Sequence, residues 1–452
     1  MLTDVIAALA TPGGRSAIAV VRVSGAAAFE VAGSVLRPFV SDLPRVARRT
    51  RVVHPLSGDT LDDALYTAFR APASYTGENV VEIATHGGLL VPAETLGALL
   101  AAGARPATPG EFTRRALYHG KLDLLQAEAV ADLIDATAPA QRKAAVHAID
   151  RGLSNQIARV RDQVLGLEAL VSYDIDFPEE DSGPVPPERV AAAIEVVDAS
   201  VERLLGTARE GARLREGALV VVAGRPNAGK SSLFNALLGM ERAIVTDVPG
   251  TTRDAIEASA TCDGFPFRLV DTAGLRERAG RIESLGIEVS RRYLAAADLV
   301  LYCMEAAAPA GRDEVSFVHS LEERVLVVRT KADLTEGNTG GRGGPRSDEL
   351  MVSAHTGEGL VALRRALARA AFATLVTGGD VTPVVTRERQ RIALERALTE
   401  IRGFASARQA GMEGAVAATH LRAAVSALEE LIGVVTREDV LDRLFANFCV
   451  GK

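Results

Sequence analysis

Nine residues, Gly224 to Ser232 (GRPNAGKSS), combine glycines, a lysine and hydroxyls at the spacing needed to hold a triphosphate. Gly224 and Gly229 let the backbone close around an anion. The N–H groups of Asn227, Ala228, Gly229, Lys230, Ser231 and Ser232 can then point at phosphate oxygens from a helix N-terminus. The Lys230 ammonium would reach the β and γ phosphates, and the Ser231 hydroxyl would ligate Mg²⁺. This loop specifies a nucleoside triphosphate and leaves the base open.

Shorter motifs downstream narrow the choice. Thr251 and Thr252, in VPGTTRD, suit a switch loop that meets Mg²⁺ (Thr252) and the γ-phosphate. In DTAG, Asp271 would hold the Mg²⁺ shell, with Thr272, Ala273 and Gly274 following, the last offering an N–H to the γ-phosphate. In TKAD, Asp333 can accept from guanine N1–H and N2–H₂, a donor pair that adenine lacks, while Lys331 lies along the purine ring. Ser353 and Ala354 would bring a backbone N–H to the guanine carbonyl. Taken in this order, the motifs are those of a GTPase. Thr330 stands where such motifs usually carry Asn, so base affinity is expected to fall while Asp333 keeps the choice of guanine. Leu275 follows DTAG where GTPases of the Ras kind place a water-orienting Gln. A leucine cannot polarise water, which leaves the downstream acids Glu277 and Glu283, and geometry alone does not choose between them.

The elements that must position these groups show in the hydrophobic pattern. An apolar run, Ala218 to Ala223, precedes the loop, and a helical pattern, Ser232 to Leu238, follows it. Further apolar runs at Ile256–Cys262, Phe267–Val270, Leu299–Met304, Val325–Arg329 and Leu350–Ser353 alternate with helical pattern, which predicts a doubly wound α/β domain over 216–377. The stretch EGNTGGRGGPR within it has loop composition and no expected chemistry. Both flanks, 119–215 and 378–452, read as helical, including helices over Gln156–Val171 and Arg189–Glu210. Helices of this length cannot bury their apolar faces alone, so the two flanks are expected to form one bundle with the GTPase domain inserted between them. Residues 1–118 alternate β-like runs (Val5–Ala10, Ala17–Val23, Ala64–Arg70, Val80–Thr85) with one amphipathic helix, Pro92–Ala102, and predict an α+β domain. Within it THGG (85–88) and TPGEFTRRA (108–116) place polar groups at element ends, where binding residues collect.

Length and composition set the outer bounds. The 452 residues suit about three domains. A net charge of -7 excludes a broad basic surface for nucleic acid. With no long uncharged apolar run and no basic segment ahead of the first apolar stretch, a soluble cytoplasmic protein without a membrane partner is expected. Three cysteines are too few and too scattered for a disulfide framework or a zinc site; Cys262 and Cys303 read as core, and Cys449 stands apart in FCVGK. Only five lysines occur, at 121, 143, 230, 331 and 452, against 46 arginines. Where lysine persists against that bias, a compact ammonium has a reason to be there.

The motifs VVRVSG, YTGENVVEIATHGG, TPGEFTRRA, KLDLLQAEAVADLIDA, IDFPEED, GRPNAGKSSL, IVTDVPGTTRD, DTAGLRE and the terminal CVGK span essentially the whole chain. Together they resemble the MnmE (TrmE) family of tRNA-modifying GTPases. The resemblance implies an N-terminal domain that binds 5-formyl- or methylene-tetrahydrofolate, with Arg22, Glu82, Lys121 and Lys452 at the contact positions. It implies hydrolysis of GTP with Mg²⁺ and a bound K⁺ in place of an arginine finger. Oxygens for K⁺ would come from Asn227, Thr246, Val248 and Thr251, with Glu283 positioning the water. Cys449 matches a cysteine that the family's chemistry requires. The implied assembly is a homodimer that joins an FAD-dependent partner of the MnmG (GidA) type in a heterotetramer. Its product is a tRNA wobble uridine carrying an aminomethyl-type (carboxymethylaminomethyl) group at C5. The acidic charge fits a protein whose tRNA grip is largely its partner's. A ribosome-assembly GTPase of the Era or Der kind is the alternative, but a single P-loop and a helical end with no basic RNA-binding module count against it.

Overall fold

Strands β1 (Ile6–Leu9) and β2 (Ile18–Ser24) pair antiparallel, and the alternation in β2 turns Ala19, Val21 and Val23 into the core while Arg22 takes the other face. The computed structural model describes residues 4–42, 44–176, 185–240, 257–271, 292–321, 324–335, 350–377, 384–433, 438–446 and 448–451. They fall into two units, 1–131 with 429–452, and 132–428.

In the first unit β3 (Leu36–Arg37), β4 (Ala47–Val53), β5 (Thr60–Phe69), β6 (Val80–His86) and β7 (Arg105–Pro106) complete a seven-stranded sheet in the order β3-β4-β5-β6-β2-β1-β7. Helices α1 (Ala28–Val35) and α2 (Leu90–Ala101) place Val31, Ala32, Val35, Ala98 and Leu99 against Val21, Val23, Val81, Ile83 and Tyr66 of the sheet. Helix α3 (Glu111–Tyr118) starts at Gly110, whose φ of 67° is left-handed. A Cβ there would lie 2.7 Å from Phe445 Cδ1, so glycine also admits the helix Glu438–Phe445. Phe445 and Phe448 join Leu124 and Ala127 of α4 (Leu124–Asp135) in one apolar cluster. The chain's last described residues are thereby fastened beside its first strands.

The second unit contains a six-stranded sheet in the order β13-β12-β11-β8-β10-β9. Its members are β8 (Ala218–Gly224), β9 (Glu257–Cys262), β10 (Phe265–Asp271), β11 (Leu299–Glu305), β12 (Val325–Thr330) and β13 (Leu350–Met351). All pairs are parallel except the β9–β10 hairpin. The β8 sequence ALVVVAG is apolar throughout because both faces are covered. Ala218, Val220 and Val222 join one core and Leu219, Val221 and Ala223 another. Helices α5 (Pro139–Ile149), α6 (Gly152–Asp176), α7 (Pro187–Gly206) and α8 (Ala208–Glu216) precede this sheet, and Glu388–Gln409 and Gly414–Ile432 follow it. Helix α7 packs on α6 and on Glu388–Gln409, and Arg402 of the latter pairs with Asp198 and Glu202 of α7. Segments from both flanks therefore share one bundle. Among the described residues no helix is long and apolar enough to cross a membrane.

Periodicity alone ran Arg189–Glu210 as one helix. The chain instead breaks at Thr207, whose hydroxyl donates to Leu204 O and accepts from the Val385 N–H.

Candidate functional site

The phosphate loop begins where β8 ends. At Gly224 (φ 142°) a Cβ would lie 2.3 Å from the Cys303 carbonyl on β11, so neither the dihedral nor the space admits a side chain. Asn227 (φ 66°) and Gly229 (φ 77°) are left-handed, which curls the loop before α9 (Lys230–Met240). Lys230 is buried and its Nζ donates to Arg225 O at 2.7 Å, bracing the loop it belongs to. The Arg225 guanidinium is tied at 3.0 Å to the buried Glu314 carboxylate, which also accepts from the Gly311 N–H. Strands β8 and β10 are parallel neighbours, with Val222 opposite Asp271. That register brings two groups far apart in sequence into contact: the Ser231 hydroxyl donates to Asp271 Oδ2 at 2.7 Å. Ser232 is exposed beside it. Burial pushes the Cys303 thiol up to about 12, which makes it an inert core group.

A second cluster forms at the end of β12. Thr330 is buried, and its hydroxyl lies 2.7 Å from Ala228 O in the phosphate loop and 3.1 Å from Met304 O. Lys331 turns left-handed (φ 59°) and its ammonium meets the Glu305 carboxylate. Asp333 sits in the 3₁₀ turn Ala332–Leu334, where the Ser353 hydroxyl donates to it at 2.5 Å and holds its carboxyl below the usual range. The Ser353 N–H is taken by Glu358 O, whereas the Ala354 N–H finds no acceptor among the described residues. Of the two, Ala354 is the one free to donate to a ligand.

In the first unit Arg22 and Glu82 stand opposite each other on β2 and β6, and the guanidinium donates to the carboxylate from Nε at 3.0 Å and Nη2 at 2.7 Å. The third arm of Arg22 donates to Gly451 O at 3.1 Å, and the rings of Tyr75 and Phe112 lie about its cation at 5.6 and 5.5 Å. Gly451 is packed so closely that a Cβ would lie 2.5 Å from Leu9 O and Ala10 Cα. Cys449 is exposed, and its carbonyl accepts from the Gly110 N–H at 3.3 Å. Lys121 is exposed and donates to Pro72 O, three residues before Tyr75. Thr246, Val248, Thr251, Thr252, Thr272, Ala273, Gly274, Glu283 and Lys452, like Leu275 and Glu277, lie outside the described residues.

One motif with polar groups at element ends is largely buried. In TPGEFTRRA, Glu111 and Arg115 are buried, and Arg115 donates to Asp4, Glu78 and Glu111 at 2.8 to 3.1 Å. Arg105 completes the network with bonds to Asp4 and Glu111. Burial alone would raise the Glu111 carboxyl, but hydrogen bonds from Arg105, the Thr108 backbone and Arg115 bring it down to about 2. Sequence reasoning missed this network and the Gly451 contact. A basic residue four positions after Glu111 was the available signal for the first, and nothing local pointed to the second.

A family model described as the MnmE helical domain matches residues 124–449, and one described as the GTP-binding protein TrmE N-terminus matches residues 5–121. The tRNA modification GTPase MnmE of Moorella thermoacetica is 40% identical over 464 residues, with 100% of each chain covered. The protein of the same name from Methylobacterium sp. is 44% identical over 460 residues, again with 100% of each covered. That of Methylorubrum populi is 44% identical over 456 residues, covering 99% of this chain and 98% of its own.

Proposed function

We infer the function from one premise, that the chain belongs to the MnmE family of tRNA modification GTPases: it hydrolyses GTP in the course of modifying tRNA. The observation that carries this reading is the meeting of Ser231 with Asp271 and of Asp333 with Ser353 at the C-terminal edge of one parallel sheet, where such sheets bind nucleotides. A hydroxyl and a carboxylate in contact are hard oxygen donors that fit Mg²⁺, and the Asp333 carboxylate, fixed by Ser353, fits the two guanine donors. Mg²⁺ would neutralise charge on the β and γ phosphates. Lys230 and the loop amides grip those phosphates, and Thr252, Thr272, Ala273 and Gly274 are the switch residues assigned beside them. A K⁺ ion held by Asn227, Thr246, Val248 and Thr251 would add positive charge at the same phosphates. Glu283, which matches the family's water-positioning glutamate, takes that part in this reading.

The tRNA chemistry is assigned to the first unit. Arg22, Glu82, Lys121 and Lys452 would hold 5-formyl- or methylene-tetrahydrofolate, which supplies a one-carbon unit. An arginine spanned by a carboxylate and two aromatic rings suits the carboxylate tail and flat pterin of such a molecule. Cys449 is exposed beside this cluster. With an FAD-dependent MnmG-type partner, in a heterotetramer built on a homodimer, the product is the carboxymethylaminomethyl-type group at C5 of the wobble uridine. Domain limits of 1–118, 119–215, 216–377 and 378–452 describe the division of labour in this scheme. Nucleoside mass spectrometry of tRNA from cells lacking the protein tests it. Loss of the C5 modification, restored by the wild-type gene, is the expected result; unchanged wobble uridines would overturn it.

A further inference from the structure

We propose that Thr330 is a positioning residue for the phosphate loop, acting on the nucleotide through the Ala228 peptide and leaving the choice of base to Asp333. This rests on the GTPase reading above. A threonine hydroxyl has one hydrogen, and of its two neighbours Ala228 O is nearer, at 2.7 against 3.1 Å for Met304 O. The peptide that follows Ala228 is planar and trans, so its C=O and its N–H point in opposite directions. Anchoring Ala228 O on Thr330 therefore turns the Gly229 N–H away from β12 and holds it there. That N–H donates to no protein acceptor among the described residues. Ala228 itself lies between two left-handed residues, Asn227 and Gly229. The buried bond from Thr330, outside the loop, fixes the plane of the peptide that follows it. The Thr330 side chain also packs beneath the turn, since a Cβ on Gly229 would lie 3.4 Å from Thr330 Cβ. With its hydrogen committed to the loop, Thr330 has none to give a purine. The base is left to Asp333, which Ser353 holds independently.

The test compares binding of GDP and IDP, which lacks the 2-amino group, by the full-length protein using titration calorimetry. Thr330→Val keeps the shape and removes the hydroxyl. It should weaken both diphosphates by about tenfold, the worth of one hydrogen bond, and leave their ratio as in wild type. Thr330→Ser should restore both to within about twofold of wild type, because the donor returns. Asp333→Ala should collapse the GDP-to-IDP ratio instead. A partly unfolded variant would lower the binding stoichiometry and not the affinity of the folded fraction. Unchanged affinity in Thr330→Val, or a loss confined to GDP, would overturn the proposal. Wild-type protein that binds neither diphosphate would overturn the GTPase reading along with it, a failure visible before any variant is made.

Discussion

Ser231 and Asp271 are separated by forty positions and end within one hydrogen bond of each other. A serine after the P-loop lysine and an aspartate opening DTAG were both legible as Mg²⁺ groups, because each motif fixes its own residue type. Their contact depends on the β8–β10 register, which no local pattern contains. Ser231→Ala should leave the fold intact and lower Mg²⁺-dependent GTP hydrolysis by about 10- to 100-fold, read by phosphate release across a Mg²⁺ titration. Arg22 and Glu82 were picked by resemblance, and they stand directly opposite each other on β2 and β6. Arg22→Met should strip a partly buried carboxylate of its partner and the tail of its donor at once. The cost should be roughly 1–3 kcal/mol, read from the urea midpoint of the full-length protein. Thr330 shows where residue-by-residue reading falls short: its hydroxyl faces a loop more than a hundred positions earlier, a contact that no local motif contains.

Helix α3 shows the same lesson for an element. Its sequence, EFTRRALY, is polar, and TPGEFTRRA reads as a weak signal, polar groups at element ends with a plain turn as the weightier alternative. Polarity misleads there because Arg115, fully buried, is matched by Asp4, Glu78 and Glu111, and paired charges are the ones that tolerate burial. The consequence is a pH dependence of known sign. The folded Glu111 carboxyl, at about 2, lies below its ordinary 4.5, and Asp4 shifts the same way. Their stabilisation is therefore complete above pH 4.5 and is lost as pH falls from there toward 2. Urea midpoints measured between pH 6 and pH 3 should fall in wild type and fall less in Glu111→Gln. That variant should also be less stable at pH 6, because an amide cannot accept from two guanidinium groups as a carboxylate does.

At the scale of the whole molecule, the sharing of one bundle by two flanks was legible because no single helical segment could bury its own apolar face. The fastening of that bundle to the nucleotide-binding sheet was not, since it runs through α8, whose sequence AREGARLRE carries no motif. Arg213 donates to Asp298 and Ala371 O, Asp298 accepts from the Leu219 N–H, and Glu210 accepts from the N–H groups of Thr374 and Leu375. Asp298→Ala should cost about 2–4 kcal/mol, because it strands a half-buried guanidinium and the amide at the start of β8 together. Thermal unfolding followed by tryptophan-independent far-UV dichroism should show the lowered midpoint. The bond from Arg22 to Gly451 has a different kind of consequence. The first unit is assembled from the opening and closing stretches of the chain, with about 300 residues made between them. On a ribosome its sheet emerges early, but the piece that covers Gly110 and reaches Arg22 emerges only after the second unit has been made. A chain cut short before residue 438 would carry a complete phosphate loop and an unfinished first unit. Premature termination would thus yield a molecule able to bind nucleotide while its opening domain still lacks the closing segment.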